Sequence, residues 1–256
     1  DREKVDKYLF TRDCIDILSE NPVHFTPQEF VNTLSSITPR LYSISSSPKS
    51  HPREVHLTVA IIKYNNFERD RFGLATGELS NRIEVNKTRI PVYIQPTKEF
   101  VLPEDNSKDI IMVGPGTGIA PFRAFLEQRI EEKGAGRNWL FFGEVHEKST
   151  FFYKDEWFEA MKKGHLQKLT TAFSRDQEHK IYVQHRLLGN SKEIWEWLQS
   201  GSYFYVCGDK QYMAKDVHST LIEIAQKEGK LKKEDAENYI NQTLMKDERR
   251  YLRDVY

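Results

Sequence analysis

The 256-residue sequence predicts an antiparallel β domain with a helical N-terminal segment, followed by a doubly wound α/β domain with a parallel sheet. Two observations predict it. Between about residues 40 and 96, short segments alternate apolar and polar side chains with few helical signals between them, the pattern of a small antiparallel sheet or barrel. From residue 109 onward, four apolar runs (109–113, 138–142, 169–173 and 203–207) recur about thirty residues apart. Each is followed by Gly, Ser or Asp and then by a helical pattern, which is the spacing of βαβ units.

Residues 1–36 read as helical. Thr26 is a candidate N-cap, Pro27 suits the first helical position and Glu29 follows closely, while Phe30, Leu34 and Ile37 form an apolar stripe. Residues 37–103 carry the β pattern. "RLYSISSS" alternates from Leu41 to Ser47, "EVHLTVAIIKY" alternates at Val55, Leu57 and Val59, and "TRIPVYIQP" is a third strand candidate that Pro91 places at an edge. "FGLATGELSNRIE" reads as a glycine loop entering one short helix. The segment 104–108 marks the boundary to an α/β domain over 104–256. Its first helix places Ile119, Phe122, Leu126 and Ile130 on one face, with Gly134 as C-cap. Two more helices are expected over 213–230 and 233–249. "FFYKDEWF" and "IWEWL" are amphipathic at helical spacing and are expected to pack.

Lys plus Arg and Asp plus Glu both number 38, so composition supports neither a nucleic-acid nor a membrane-surface role. No apolar run approaches the ~20 residues that span a bilayer, and no signal peptide is read at the start. Cys14 and Cys207 are far apart and suggest no disulfide framework, so a reducing cytoplasmic setting is expected. The eight histidines show no H-x-x-x-H or Cys-His cluster, so no zinc site is expected. No G-x-S-x-G elbow is present, which argues against acyl-transfer chemistry.

Three stretches carry candidate binding chemistry. In "VGPGTGIAPFRAFL", Gly114, Gly116 and Gly118 let the backbone turn tightly before a helix whose N–H groups and dipole suit a pyrophosphate. Pro115 and Pro121 set it apart from the ordinary dinucleotide fingerprint, and a plain βα turn is the alternative. In "AFSRDQEHKIYVQ", Ser174, Arg175 and Lys180 could hold a phosphate and Tyr182 could stack on a purine. That would select a 2′-phosphate and so NADP over NAD; a solvated charged loop reads equally well. In "TPRLYSISSSP", Arg40 and Tyr42 offer a cation and a flat ring to a flavin dinucleotide, and "GLATG" (73–77) offers backbone N–H groups to the same pyrophosphate.

Together and in order, "RLYSISSSP", "GLATGEL", "GPGTGIAPFRAFLEQR", "NWLFFGEVH", "SRDQ", "KIYVQ", "YVCGDKQYMAKDV" and "RRYLRDVY" resemble the ferredoxin–NADP reductase-like module of the diflavin reductases. The closing "RYLRDVY" favours the sulfite reductase branch. The resemblance covers nearly the whole chain from about residue 12. It implies an FAD-binding β-barrel domain followed by an NADP domain, with hydride passing from nicotinamide C4 to flavin N5.

By that resemblance, Arg40, Leu41, Tyr42, Ser43, Thr58, Val59, Ala60 and Tyr64 contact FAD, and Gly73, Leu74, Ala75 and Thr76 hold its pyrophosphate. Gly116 and Thr117 lie on the NADP pyrophosphate path. Ser174, Arg175, Lys180, Ile181, Tyr182, Val183, Gln184 and Asp216 form the adenosine-phosphate side of the NADP(H) site. Ser43, Cys207 and Asp254 line the catalytic hydride-transfer site, and Tyr256 stacks on the isoalloxazine ring. The family also implies an FMN-binding flavodoxin-like domain, not visible in this chain, and a sulfite reductase hemoprotein as electron acceptor. The first barrel strands and most of the helical connecting region, of which 1–36 is a remnant, are expected to be missing before Asp1. A diflavin reductase serving another haem acceptor, or a module that binds nucleotide without turnover, remain alternatives.

Overall fold

The computed structural model describes residues 1–256. The chain divides into two compact units, Asp1–Leu41 with Val59–Val92, and Tyr42–Thr58 with Tyr93–Tyr256.

The first unit contains helices α1 (Arg2–Phe10), α2 (Cys14–Glu20), α3 (Pro27–Thr33) and α4 (Leu74–Asn81), with a hairpin of β1 (Lys63–Asn66) and β2 (Arg69–Phe72). Helix α3 starts as its sequence predicts, with Thr26 and Glu29 closing a reciprocal capping box and Pro27 in the first turn. Phe67 and Glu68 both take positive φ, at 50° and 58°, as a tight two-residue hairpin turn of right-handed twist requires. Arg69 and Arg71 clamp the start of α2: Arg69 reaches Asp16 at 2.6 Å, and Arg71 reaches Asp16 at 2.5 Å and also pairs with Asp13. Burial opposes the charge on Asp16. The Asp13 backbone N–H and the two guanidinium groups outweigh it and hold the carboxyl at about 2.

The expected barrel strands are the main departure from the sequence reading. Residues 54–62 and 88–96 form no strand, and the pattern around 41–47 survives as a single antiparallel bridge between Ile44 and Leu57. An alternating pattern specifies which face a strand would bury, but a strand persists only when a neighbour completes its ladder. Within this chain those segments find none, and Val55, Ile61, Ile62, Val92 and Ile94 stay exposed.

The second unit is built on a five-stranded, all-parallel sheet. Its strands are β3 (Ile110–Val113), β4 (Asn138–Glu144), β5 (Lys168–Phe173), β6 (Tyr203–Gly208) and β7 (Tyr251–Val255), ordered β5-β4-β3-β6-β7. All four apolar runs become strands because both faces are covered, almost completely in β3, β4 and β6 and partly in the edge strand β5. One face packs Ile111, Val113, Trp139, Phe141, Phe204 and Val206 under α8 (Val183–Gly189), α9 (Ser191–Gln199) and α10 (Met213–Gly229). The other packs Ile110, Met112, Leu140, Phe142, Tyr205 and Cys207 under α5 (Ala120–Glu131) and, beyond the short α6 (Glu147–Thr150), α7 (Lys154–Lys162). Trp157 and Trp197 are core residues, as their spacing predicts.

Three details differ from expectation. Helix α5 is capped one residue earlier than predicted: Lys133 takes the left-handed conformation, and the Gly134 N–H bonds back to the Arg129 carbonyl. Helix α11 (Lys233–Asn238) passes into a π-helical segment, Tyr239–Asp247, where a continuous α-helix was expected. The tail "YLRDV" is strand β7, an edge strand whose consecutive charged residues Arg253 and Asp254 gave no strand signal.

A 3₁₀ turn (Gly116–Ile119) links β3 to α5 and packs tightly on β6. A Cβ on Gly118 would stand 2.1 Å from the Cys207 carbonyl oxygen. Gly118→Ala is therefore expected to destabilise this unit by about 3 kcal/mol, read as a drop of several degrees in Tm by calorimetry.

Candidate active site

The sheet order places a topological switch between β3 and β6: the chain leaves β3 toward β4 and β5 on one side, then returns to β6 and β7 on the other. Ligands in such sheets bind in the crevice outside the carboxyl ends of the strands at that point. Here those ends carry Gly114–Gly118 after β3, Cys207 and Gly208 at the end of β6, and Asp254 to Tyr256 at the end of β7.

Three residues expected at the hydride-transfer site come together although far apart in sequence. Parallel pairing of β6 and β7 sets Cys207 opposite Asp254. The Ser43 hydroxyl donates to Asp254 Oδ2 at 2.9 Å, and the Cys207 thiol points at the same oxygen from 3.8 Å. Cys207 is fully buried. That burial, reinforced by the negative charge of Asp254, pushes its thiol well above the ordinary range. It is therefore a protonated, polarisable neighbour and no thiolate nucleophile.

Tyr256 is held at this crevice by its backbone and by its hydroxyl. Its N–H donates to the Gly208 carbonyl at 3.2 Å, its carbonyl accepts from the Lys210 N–H at 3.1 Å, and its hydroxyl shares a 3.0 Å hydrogen bond with Thr117. The residue is 62% exposed.

The glycines of the β3–α5 turn divide their work. Gly118 serves the packing on β6. Gly116, at φ +58°, supplies a backbone conformation that disfavours side chains and leaves an open approach to the turn. Glu144 Oε1, a carboxylate the sequence reading did not single out, lies 3.7 Å from where a Gly116 Cβ would stand.

On the adenosine side, the Ser174 and Arg175 N–H groups bond to the Glu144 and Val145 carbonyls, which fixes the loop after β5 beside β4. Arg175 and Lys180 are exposed and pair with no carboxylate. Tyr182 caps α8, its N–H donating to His185 Nδ1 at 3.0 Å, with the His185 ring stacked beside its own. Gln184 donates to Asp216 at 2.9 Å. Val183 is buried and Ile181 packs against the same core, so these two position the loop by packing. The sequence reading did not find His146, whose Nδ1 lies 2.8 Å from Asp176 and ties the ends of β4 and β5 together; a lone His after a strand carries no pattern.

The flavin candidates divide between the units. In the first, Arg40 bonds only the Thr38 carbonyl and hydroxyl, Leu41 and Tyr64 are exposed, and Val59 and Ala60 lie in irregular chain. Gly73 caps α4, Leu74 and Ala75 occupy its first turn, and Thr76 accepts from the Ile62 N–H. In the second unit Tyr42 is half-buried, and the Thr58 hydroxyl shares a 2.7 Å hydrogen bond with Tyr153.

A family model described as an oxidoreductase NAD-binding domain matches residues 112–219, and one described as an FAD binding domain matches residues 4–77. The two domains match the ferredoxin–NADP reductase-like fold. The chain is similar to the "Sulfite reductase [NADPH] flavoprotein alpha-component" of Mannheimia succiniciproducens, at 46% identity over 254 residues, covering 99% of this chain and 42% of that protein. The proteins of the same name from Bacillus subtilis and Vibrio parahaemolyticus are 46% and 44% identical, covering 99% and 100% of this chain and 42% and 41% of theirs. The chain spans about two-fifths of the length of these curated relatives. The fold expected of a ferredoxin–NADP reductase-like flavoprotein is thus borne out, with an FAD binding domain and an oxidoreductase NAD-binding domain in the expected order. No helix is long and apolar enough to cross a membrane.

Proposed function

We propose that this chain is the NADPH-oxidising, FAD-reducing module of a sulfite reductase flavoprotein. An FMN-binding flavodoxin-like domain would receive the electrons and a sulfite reductase hemoprotein would consume them, in the cytoplasm. Residues 37–103 serve FAD, 104–256 serve NADP with the flavin-stacking tail, and 1–36 belong to the connecting region. When bound, NADPH supplies a hydride and FAD accepts it.

The observation that carries this reading is the meeting of Ser43, Cys207 and Asp254 at the switch point of the parallel sheet. Asp254 orients the Ser43 hydroxyl and sets a negative charge beside the position where positive charge develops as the hydride leaves. Cys207 fills the wall without offering a competing nucleophile. The residues fit the dinucleotide: Gly116 leaves the turn open, and Arg175 and Lys180 are cations without protein partners. They fit the flavin too. Arg40 has no carboxylate to satisfy it, and the first turn of α4 offers N–H groups that lack intrahelical acceptors.

The test is anaerobic flavin bleaching by NADPH against NADH. Strong preference for NADPH is expected; equal use of NADH would remove the 2′-phosphate assignment, and a chain that takes up no FAD would remove the turnover assignment. Arg175→Ala is expected to raise KM for NADPH about 30-fold, the loss of a strong charge-assisted contact, with KM for NADH little changed in steady-state assays.

A further inference from the structure

The loop between Ser47 and Thr58 is fastened along α5. The Ser47 N–H donates to Glu127 at 2.8 Å, the Ser47 hydroxyl donates to Gln128, and Lys49 pairs with Glu132 at 2.5 Å. A turn closed by the Glu54 N–H on the His51 carbonyl then returns the chain, and His56 bonds back to Ser45 and Ser46. The fold thereby sets the His51 and His56 rings 4.2 Å apart, with Glu54 beside them. One ligand-capable atom from each of His51, Glu54 and His56 lies within 4.8 Å of the others. Glu127 Oε1 is 3.3 Å from His51 Nε2, and Glu54 Oε2 is 2.9 Å from His56 Nε2. None of these residues belongs to the nucleotide crevice.

We propose that His51, Glu54 and His56 form a binding site for a first-row divalent transition metal of the zinc class. Two imidazoles and one carboxylate suit zinc, cobalt, nickel or copper, and are too nitrogen-rich for magnesium or calcium. Tetrahedral ligands on zinc stand about 3.4 Å apart, so small rotations of three half-exposed or exposed side chains close the set. Water or Glu127 fills the fourth position. Arg123 sets the main electrostatic cost, because its Nη1 lies 3.2 Å from His56 Nδ1. Ligation through Nε2 moves the ring proton to Nδ1, and Arg123 gives up that contact. It keeps Glu156 at 2.6 Å, Glu127 at 3.1 Å and the Ser45 carbonyl at 2.7 Å. The sequence signal is His-x-x-Glu-x-His, a spacing outside the usual zinc patterns, and only the turn makes it a cluster.

The experiment is a titration of the metal-stripped full chain with Co²⁺, read by visible d–d absorption and by Zn²⁺ displacement. One equivalent of Co²⁺ is expected, fully displaced by Zn²⁺. His51→Gln and His56→Gln should abolish the band, and Glu54→Gln should weaken binding at least about tenfold. Glu54 is exposed, so that variant keeps the test valid if a histidine variant folds poorly, and retention on a 2′,5′-ADP matrix checks the fold. No band in the wild type, an unchanged band in Glu54→Gln and His51→Gln, or a band lost instead in Cys14→Ser would each overturn the proposal.

Discussion

Asp254→Asn is expected to slow flavin reduction by NADPH about a hundredfold, measured as the single-turnover bleaching rate, while the Kd for NADP⁺ changes less than about twofold. Asn keeps the shape and can still accept from Ser43, so the fold and the 2.9 Å contact survive. What disappears is the negative charge held between a serine hydroxyl and a buried thiol. A charge placed where charge develops matters most in the transition state and least in ground-state binding. An unchanged bleaching rate would leave Asp254 with a structural role on β7 only. Equal losses in rate and in NADP⁺ affinity would point to a disturbed site. Cys207→Ala should act in the same direction but more weakly, because the thiol carries no charge to remove.

Tyr256→Ala is expected to tighten nicotinamide binding and to relax discrimination against NADH by about tenfold or more, measured as the ratio of kcat/KM for NADPH to that for NADH. The Tyr256 ring is held by contacts at both ends: its backbone bonds with Gly208 and Lys210, and its hydroxyl with Thr117. Thr117 belongs to the turn assigned to the NADP pyrophosphate, so a dinucleotide that enters there competes with the tyrosine for this hydroxyl. Each aromatic or hydrogen-bond contact is worth about 1 kcal/mol, so displacing the ring is a tax on every bound nicotinamide. NADPH, anchored by its 2′-phosphate on Arg175 and Lys180, would be committed to hydride transfer once bound and gain little when the ring is removed; NADH lacks that anchor and would gain in full. Tyr256→Phe separates the two contributions, because it keeps the ring and loses the Thr117 bond. Unchanged coenzyme preference in both variants would make Tyr256 a bystander.

Much of the second unit was legible in residue patterns. Four runs of consecutive apolar residues required burial on both faces, and the turn signals after each required crossovers; together these leave a parallel sheet with helices on both sides as the solution. The caps of α3 and the apolar face of α5 follow from local chemistry that needs no distant partner. The strand candidates within residues 54–62 and 88–96 go unformed for the opposite reason. Val55, Leu57 and Val59 alternate correctly, but a ladder is a property of two segments, and the pairing is absent among the residues of this chain. Strand β7 was missed because its polar side chains break any apolar alternation: Arg253 is exposed on one face, and Asp254 on the other meets the Ser43 hydroxyl.

By itself, the sequence determined the order of elements, the glycine turn before α5, the cations after β5 and, through motif order, the family resemblance. These are local matters: propensity, periodicity and the chemistry of neighbouring residues. Tertiary structure alone decided that Ser43, Cys207 and Asp254 share one oxygen, that Gly118 serves packing while Gly116 stays open, and that His51, Glu54 and His56 face one another. Register between β6 and β7 and the fold of one loop onto α5 set those distances. Register depends on long-range pairing, which no window of neighbouring residues contains.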